Sequence, residues 1–276
     1  MTKQIKLGIC NEIFKDWNNI KRTMKYVKEL GYDGIEIAPF TISQYVTDIP
    51  LETRKEIKQL SEQIGLEVAG IHWVFVGPEN VYLTHPDPEI RNFTAHYLKE
   101  LVHFCADIGG KIIVFGSPKQ RNVQRNISYN QAFEYACEVF SQAMPICEER
   151  DVTLCIEQLT HWETNFCHTI EETIELIEAI DHPKFQLILD TKAMTFLQEP
   201  RETIIRKCAK YLKHYHANDE NLLGPGMGKV DFGPIIKALK DINYSGYISV
   251  EVFKFDLGPE KIATESINYL KKFLDT

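Results

Sequence analysis

The chain has 276 residues, of which 44% are hydrophobic and 25% charged, a composition typical of ordinary globular proteins. Its net charge of −8 and its isoelectric point of about 5.6 argue against tight binding to nucleic acid, because that affinity comes largely from Lys and Arg. No apolar run approaches the length of a membrane span. We therefore expect neither a nucleic-acid partner nor a membrane partner.

The start of the chain and its cysteines indicate the compartment. The opening MTKQIKLGICNEIF lacks the long apolar core of a signal peptide. Seven cysteines are scattered without a CxxC pair, which is typical of buried, reduced thiols. We expect a cytoplasmic protein, and the sequence leaves open whether it forms a homo-oligomer.

Short apolar runs of strand character alternate with helical patterns along the whole chain. The predicted strands are 5–10, 33–38, 66–73, 111–116, 152–157, 185–190, 211–216 and 247–253. The helical patterns lie at 19–31, 51–65, 88–109, 130–150, 169–180, 200–211, 232–242 and 259–274. Eight such units predict a single-domain (β/α)8 TIM barrel over residues 1–276. A doubly wound open sheet is the alternative, but the first strand lacks the Gly-rich phosphate loop that follows it in such folds.

Four residues at or near the ends of the last four predicted strands form the most informative pattern. They are Glu157, Asp190, His216 and Glu251. The C-terminal ends of barrel strands converge on one site, so these side chains form a hard oxygen and nitrogen ligand set. Such a set suits one divalent metal ion: Mn²⁺, Mg²⁺ or Co²⁺. The alternative is that isolated acids at strand ends only face solvent in loops.

Several motifs, taken together, resemble the xylose-isomerase-like TIM-barrel sugar phosphate isomerase/epimerase superfamily. The motifs are GYDGIEIA, IEQLTHWETN, LDT, HANDE…PGMGKVDF and GYISVE. The resemblance implies that Glu157 and Glu251 are metal-bound acid/base residues and that Asp190 and His216 complete the ligand set. It also implies that Glu163 contacts substrate hydroxyls and that His72 faces the substrate or a metal.

The resemblance implies a metal-dependent isomerase or epimerase of a small sugar, sugar acid or sugar phosphate. A metal that polarises a carbonyl acidifies the neighbouring C–H, and one carboxylate on each face of the sugar can remove and return the proton. A keto-sugar or keto-acid dehydratase is the runner-up. Less favoured alternatives are a sugar-binding barrel without catalysis and an endonuclease-like phosphodiesterase.

Two positions depart from the pattern of ketose 3-epimerases in this superfamily. Ala193 stands where these enzymes often have a His, and Leu222 where they often have an Arg. Both family residues normally handle substrate hydroxyls. The departures leave the metal ligands intact but indicate a different set of substrate contacts.

Further candidates for substrate contacts lie in the loops after strands four and five. Lys119 and Arg121 either bind an anionic group of the substrate or belong to a solvated loop. Trp162 is placed to stack against a sugar. Alternation along the third strand predicts that Trp73 points outward, against a helix.

Overall fold

The computed structural model describes residues 5–274, and these residues form a closed barrel of eight parallel strands in chain order. The predicted TIM barrel is confirmed. The strands are β1 Lys6–Cys10, β2 Gly34–Ile37, β3 Glu67–Ile71, β4 Ile112–Phe115, β5 Thr153–Glu157, β6 Phe185–Asp190, β7 Leu212–Ala217 and β8 Tyr247–Val250. Each predicted strand overlaps an observed one. The ends of the proposed domain, residues 1–4 and 275–276, lie outside the described residues.

Helices surround the barrel and connect successive strands. They are α1 Ile20–Glu29, α2 Leu51–Ile64, α3 Pro88–Asp107, α4 Tyr129–Glu149, α5 Ile170–Ile180, α6 Thr191–Met194, α7 Arg201–Lys207, α8 Phe232–Asp241 and α9 Pro259–Leu274. Local sequence sets their ends: Ser128 and Gln131 form a capping box at the start of α4. Gly65 ends α2 in a left-handed conformation with φ of 65°, which a side chain would strain.

The strands form the inner wall of the barrel, and the helices pack apolar side chains against its outside. Burial is continuous along β5 and is interrupted only at Gln186 on β6, which reflects this position between two layers. All seven cysteines lie within the described residues, and each is a free thiol. Of the helices in residues 5–274, none is long and apolar enough to cross a bilayer.

The strand register brings the polar strand ends together. Asp190 on β6 is paired in register with His216 on β7, so the two side chains meet at the same level of the barrel. Gly116, directly after β4, leaves room for Glu157: a Cβ at this position would lie 2.4 Å from Oε2 of Glu157. The fold therefore collects these side chains at the C-terminal mouth of the barrel.

Candidate active site

Asp190, His216 and Glu251 form a compact group of possible metal ligands at the mouth of the barrel. One ligand atom from each lies within 4.8 Å of the others, and all three residues are buried. Nδ1 of His216 lies 3.0 Å from Oε2 of Glu251. Glu157, the last residue of β5, is not part of this group, but it lines the same cavity as Glu251.

Like charges crowd this site. Burial raises the pKa of Glu157 well above its usual range, and the charges of Glu251 and Asp190 raise it further. Burial and the charge of Glu251 also raise the pKa of Asp190. Burial acts in the same direction on Glu251, but attraction and hydrogen bonding to His216 outweigh it and lower its pKa.

A divalent cation fits this combination of donors and charge. Carboxylate oxygens and an imidazole nitrogen are ligands that Mn²⁺, Mg²⁺ and Co²⁺ accept. Their buried negative charges repel one another, and a bound cation relieves that repulsion. The group Asp190, His216 and Glu251 is therefore a candidate metal centre, with Glu157 beside it.

A buried carboxylate beneath the site orients the histidine. Glu36 on β2 contacts Nε2 of His216 at 3.1 Å and Nε2 of His214 at 2.6 Å, and all three side chains are fully buried. Burial lowers the pKa of His216, but the carboxylates of Glu251 and Glu36 raise it well above its usual range. A carboxylate at Nε2 favours a proton there, so Nδ1, which faces Glu251, is the nitrogen that can exchange its proton for a metal. His214, two residues earlier on β7, lies one level lower in the buried core.

Asp190 is held by two donors. Its Oδ1 accepts the backbone N–H of Ala193 at 2.8 Å, so the residue caps α6. Its Oδ2 accepts Nδ2 of Asn218 at 2.5 Å. The Oδ1 of Asn218 accepts the backbone N–H of Lys192 at 2.8 Å. Asn218 thus ties the loop after β7 to the start of α6 and fixes the carboxylate of Asp190.

The cavity beside these residues has a volume of about 510 Å³. Its polar end contains Glu157, Glu251, Glu163 and Lys192, and much of the remaining wall is apolar. The lining residues are Trp73, Phe75, Val76, Gly77, Pro78, Val114, Gly116, Ser117, Pro118, Lys119, Gln120, Glu157, Leu159, Glu163, Lys192, Glu251 and Phe253. A pocket of this size accommodates a small organic molecule.

The residues predicted from the sequence to contact substrate have different positions. Glu163 and Lys119 line the cavity. Trp162 is 76% exposed and packs against the ring of His161. His72 is buried, with Nε2 2.8 Å from Oε2 of Glu12, and it is not part of the cavity wall.

Arg121 supports the end of β5 from within the protein. It is fully buried and donates from its guanidinium to the backbone oxygens of Glu157 at 2.8 Å and Cys167 at 3.2 Å. It is not among the residues of the cavity wall. Its two contacts connect the loop after β4 to the strand that carries Glu157.

The sequence-based prediction for Trp73 was wrong. The residue has φ of 51°, and this left-handed conformation ends the alternation of β3. Its Nε1 donates to Oε1 of Glu251 at 2.7 Å, and its ring lines the cavity. Strand periodicity stops at the strand end, so no pattern in the sequence could have placed this side chain.

Lys192 is a second residue that sequence reasoning missed. It follows Asp190 by two residues, in the first turn of α6, and its ammonium reaches Oε1 of Glu163 at 2.7 Å. Burial alone lowers the pKa of Lys192, but the carboxylates of Asp190 and Glu163 raise it, so the ammonium stays charged. Only its closeness to a strand-end acid could have signalled this position.

A family model described as "Xylose isomerase-like TIM barrel" matches residues 24–273. The chain belongs to this family. The resemblance inferred from the motifs is therefore confirmed.

Individual relatives extend the comparison. D-psicose 3-epimerase of Ruminiclostridium cellulolyticum is 28% identical over 245 residues, covering 87% of this chain and 80% of the relative. 3-Dehydro-D-guloside 4-epimerase of Escherichia coli strain K12 is 22% identical over 256 residues, covering 90% and 92%. A crystal structure of D-psicose 3-epimerase in the presence of D-fructose superposes with a TM-score of 0.84 at 18% identity, covering 99% of this chain and all of that one.

Proposed function

We propose that this protein is a divalent-metal-dependent epimerase or isomerase of a small sugar, most simply a ketose. One observation carries the proposal: Glu157 at the end of β5 and Glu251 directly after β8 line one cavity beside the candidate metal centre. The two named relatives are epimerases of sugars, which supports this reaction class. Neither is a lyase, so the comparisons lend no support to the dehydratase alternative.

The proposed metal ligands are Asp190, His216, Glu251 and Glu157. When bound, the metal supplies a Lewis acid that polarises a carbonyl and stabilises an adjacent negative charge. The four side chains come from strand ends or the residue directly after a strand, so the barrel holds them rigidly. Which of Mn²⁺, Mg²⁺ and Co²⁺ is used belongs to the proposal.

The proposed proton transfer uses Glu157 and Glu251 as the two acid/base groups. One carboxylate removes the proton from the carbon next to the substrate carbonyl, and the other returns a proton to the opposite face. Trp73 orients Glu251 through the hydrogen bond to Oε1. Return of the proton to the same carbon inverts its configuration, and return to the neighbouring carbon interconverts aldose and ketose.

Deuterium exchange tests this mechanism. The protein with Mn²⁺ is incubated in D₂O with D-fructose, D-psicose, D-tagatose and L-ribulose, and the products are followed by NMR. We expect an epimerised product with deuterium at the carbon next to the carbonyl. The variants Glu157→Gln and Glu251→Gln should lose this activity. Full activity in both variants, or no turnover of any sugar by the wild-type protein, would overturn the proposed function.

A further inference from the structure

Lys192 presents an ammonium group at the polar end of the cavity. It lines the cavity together with Glu157, Glu163 and Glu251. Its side chain is only 10% exposed, and its backbone N–H is fixed by Asn218. The fold therefore holds this lysine in place, unlike a lysine on a solvated helix face.

The contacts of the ammonium leave hydrogen-bond capacity unused. Nζ donates to Oε1 of Glu163 at 2.7 Å and lies 4.0 Å from the centre of the Phe253 ring. An ammonium has three donors. Among residues 5–274, Glu163 alone accepts a hydrogen bond from Nζ. The remaining donors are available to oxygen atoms of a molecule bound in the cavity.

The two positions where ketose 3-epimerases often carry a His and an Arg hold Ala193 and Leu222 here, and neither residue is among those that line the cavity. Ala193 is buried beside Lys192, and its side chain has no polar atom. Leu222 lies in the loop after β7 with φ of 72° and is likewise apolar. Within the part of the chain that the structure describes, the cations that line the cavity are Lys119 and Lys192, and of the two Lys192 is the one paired with Glu163.

We propose that Lys192 is a catalytic residue that donates a hydrogen bond to the substrate oxygen on which negative charge develops. The inference rests on the proposed function, in which proton removal from carbon places charge on the neighbouring oxygens. Lys192 keeps its own proton throughout, and the transferred proton moves between carbon and the carboxylates. A fixed cation in a site shielded from water stabilises such charge more strongly than water does.

The rival explanation is that Lys192 only neutralises the crowded acids. That role would support the fold in the absence of metal and would matter little once a metal is bound. A catalytic role lowers kcat with metal present and leaves metal affinity intact. The two explanations thus differ in kcat at saturating metal.

The experiment compares Lys192→Met, Lys192→Arg and Lys184→Met, using the ketose of the panel that wild-type protein turns over fastest. Lys184 is the matched control, because it is a partly exposed lysine that is also paired with a carboxylate, Asp151, but lies before β6 at the other end of the strand. The measured quantities are kcat and KM at saturating Mn²⁺, the dissociation constant of Mn²⁺, and the melting temperature.

We expect Lys192→Met to lower kcat about 100-fold, the usual effect of removing one donor to a developing oxyanion. Its KM should change by less than about threefold, since the lost contact strengthens in the transition state. Lys192→Arg should recover part of kcat, and Lys184→Met should behave as wild type. Mn²⁺ should bind Lys192→Met at least as tightly as wild type, because a nearby positive charge has been removed.

A Lys192→Met variant with wild-type kcat at saturating Mn²⁺ would overturn this proposal and leave the proposed function standing. A variant that loses kcat only in proportion to lost Mn²⁺ binding would overturn it as well. If wild-type protein turns over none of the ketoses, the proposed function is overturned and this inference falls with it.

Discussion

The two ends of β6 show how differently this barrel handles charge. Before the strand, Lys184 and Lys111 both pair with Asp151 near the surface. Their hydrogen bonds lower the pKa of Asp151 to about 2. At the other end, Asp190 is buried close to Glu251, and its pKa is raised. One end pairs opposite charges, and the other gathers like charges.

This difference separates stability from function within one strand. Paired surface charges cost the fold little and contribute modestly to its stability. Buried like charges destabilise the protein until a cation binds, and such a cost is typical of functional sites. Barrel enzymes place their active sites at the C-terminal ends of the strands, which is the end where the charges are unbalanced here.

The largest expected effect on activity is that of Glu157→Gln, which changes one of the buried acids at the mouth of the barrel. We expect the rate of epimerisation to fall by about 10²–10⁴-fold, the usual contribution of one general acid or base.

The same variant also tests the effect of this acid on stability. The raised pKa of Glu157 means that its ionised form opposes folding once the pH exceeds the ordinary pKa of a glutamate, about 4.3. In EDTA at pH 7, the variant should therefore be more stable than wild type by about 0.5–2 kcal/mol. Urea unfolding measures this, and a loss of stability would contradict the account.

The next prediction compares two buried Glu–His pairs, Glu36–His216 and Glu12–His72. Only the first pair contains a proposed metal ligand. Glu36 contacts His216 of the candidate metal centre, whereas Glu12 contacts His72 outside the cavity wall. We expect Glu36→Gln to weaken Mn²⁺ binding about 10–100-fold, as losses of such outer partners usually do. Glu12→Gln should change it less than about threefold. Calorimetric titration measures the dissociation constant of Mn²⁺ for each variant. Equal effects of the two variants would refute the orienting role of Glu36.

Trp73→Phe should have a smaller effect on the same site. The change keeps the aromatic wall of the cavity and removes the Nε1–H donor to Glu251. A hydrogen bond to a charged group contributes about 1.5–3 kcal/mol, so we expect kcat/KM to fall roughly tenfold or more. Steady-state kinetics at saturating Mn²⁺ measure the change. Unaltered kinetics would show that Glu251 is held by its other contacts.

The smallest expected effect is at the paired end, in Asp151→Asn. The depressed pKa of Asp151 means that its pairing contributes stability above the ordinary value of about 3.9, which is lost as pH falls toward 2. Because Asp151 is largely exposed, the variant should lose less than about 1 kcal/mol at pH 7. This loss of stability is opposite in sign to the gain expected for Glu157→Gln. A stability gain in Asp151→Asn, measured by urea unfolding, would remove the contrast between the two ends.

The sequence predicted the barrel and its strand-end acids because both depend on simple periodicity. Apolar runs alternating with helical patterns determine the (β/α) order, and a residue at a strand end needs no further information to be placed at the mouth. Periodicity was therefore enough to identify the four proposed ligands, Glu157, Asp190, His216 and Glu251.

The remaining site residues depend on geometry that periodicity does not encode. Trp73 enters the cavity through a left-handed backbone conformation. Lys192 reaches it from a four-residue helix after β6. Glu36 meets His216 across the barrel interior, from a strand far away in the chain. The sequence placed Arg121 in a loop, but its side chain is fully buried and donates to the backbone oxygen of Glu157 at the end of β5.

A titration of metal-free protein with Mn²⁺, carried out for wild type and Asp190→Asn, tests the central claim most directly. Calorimetry gives the number of ions bound and their affinity, and thermal unfolding shows whether the ion stabilises the fold. We predict one ion per wild-type chain, a higher melting temperature in its presence, and an affinity lowered more than about 100-fold in Asp190→Asn, beyond the loss typical of an outer partner. Equal affinity in the two proteins would contradict a metal centre at the mouth of this barrel.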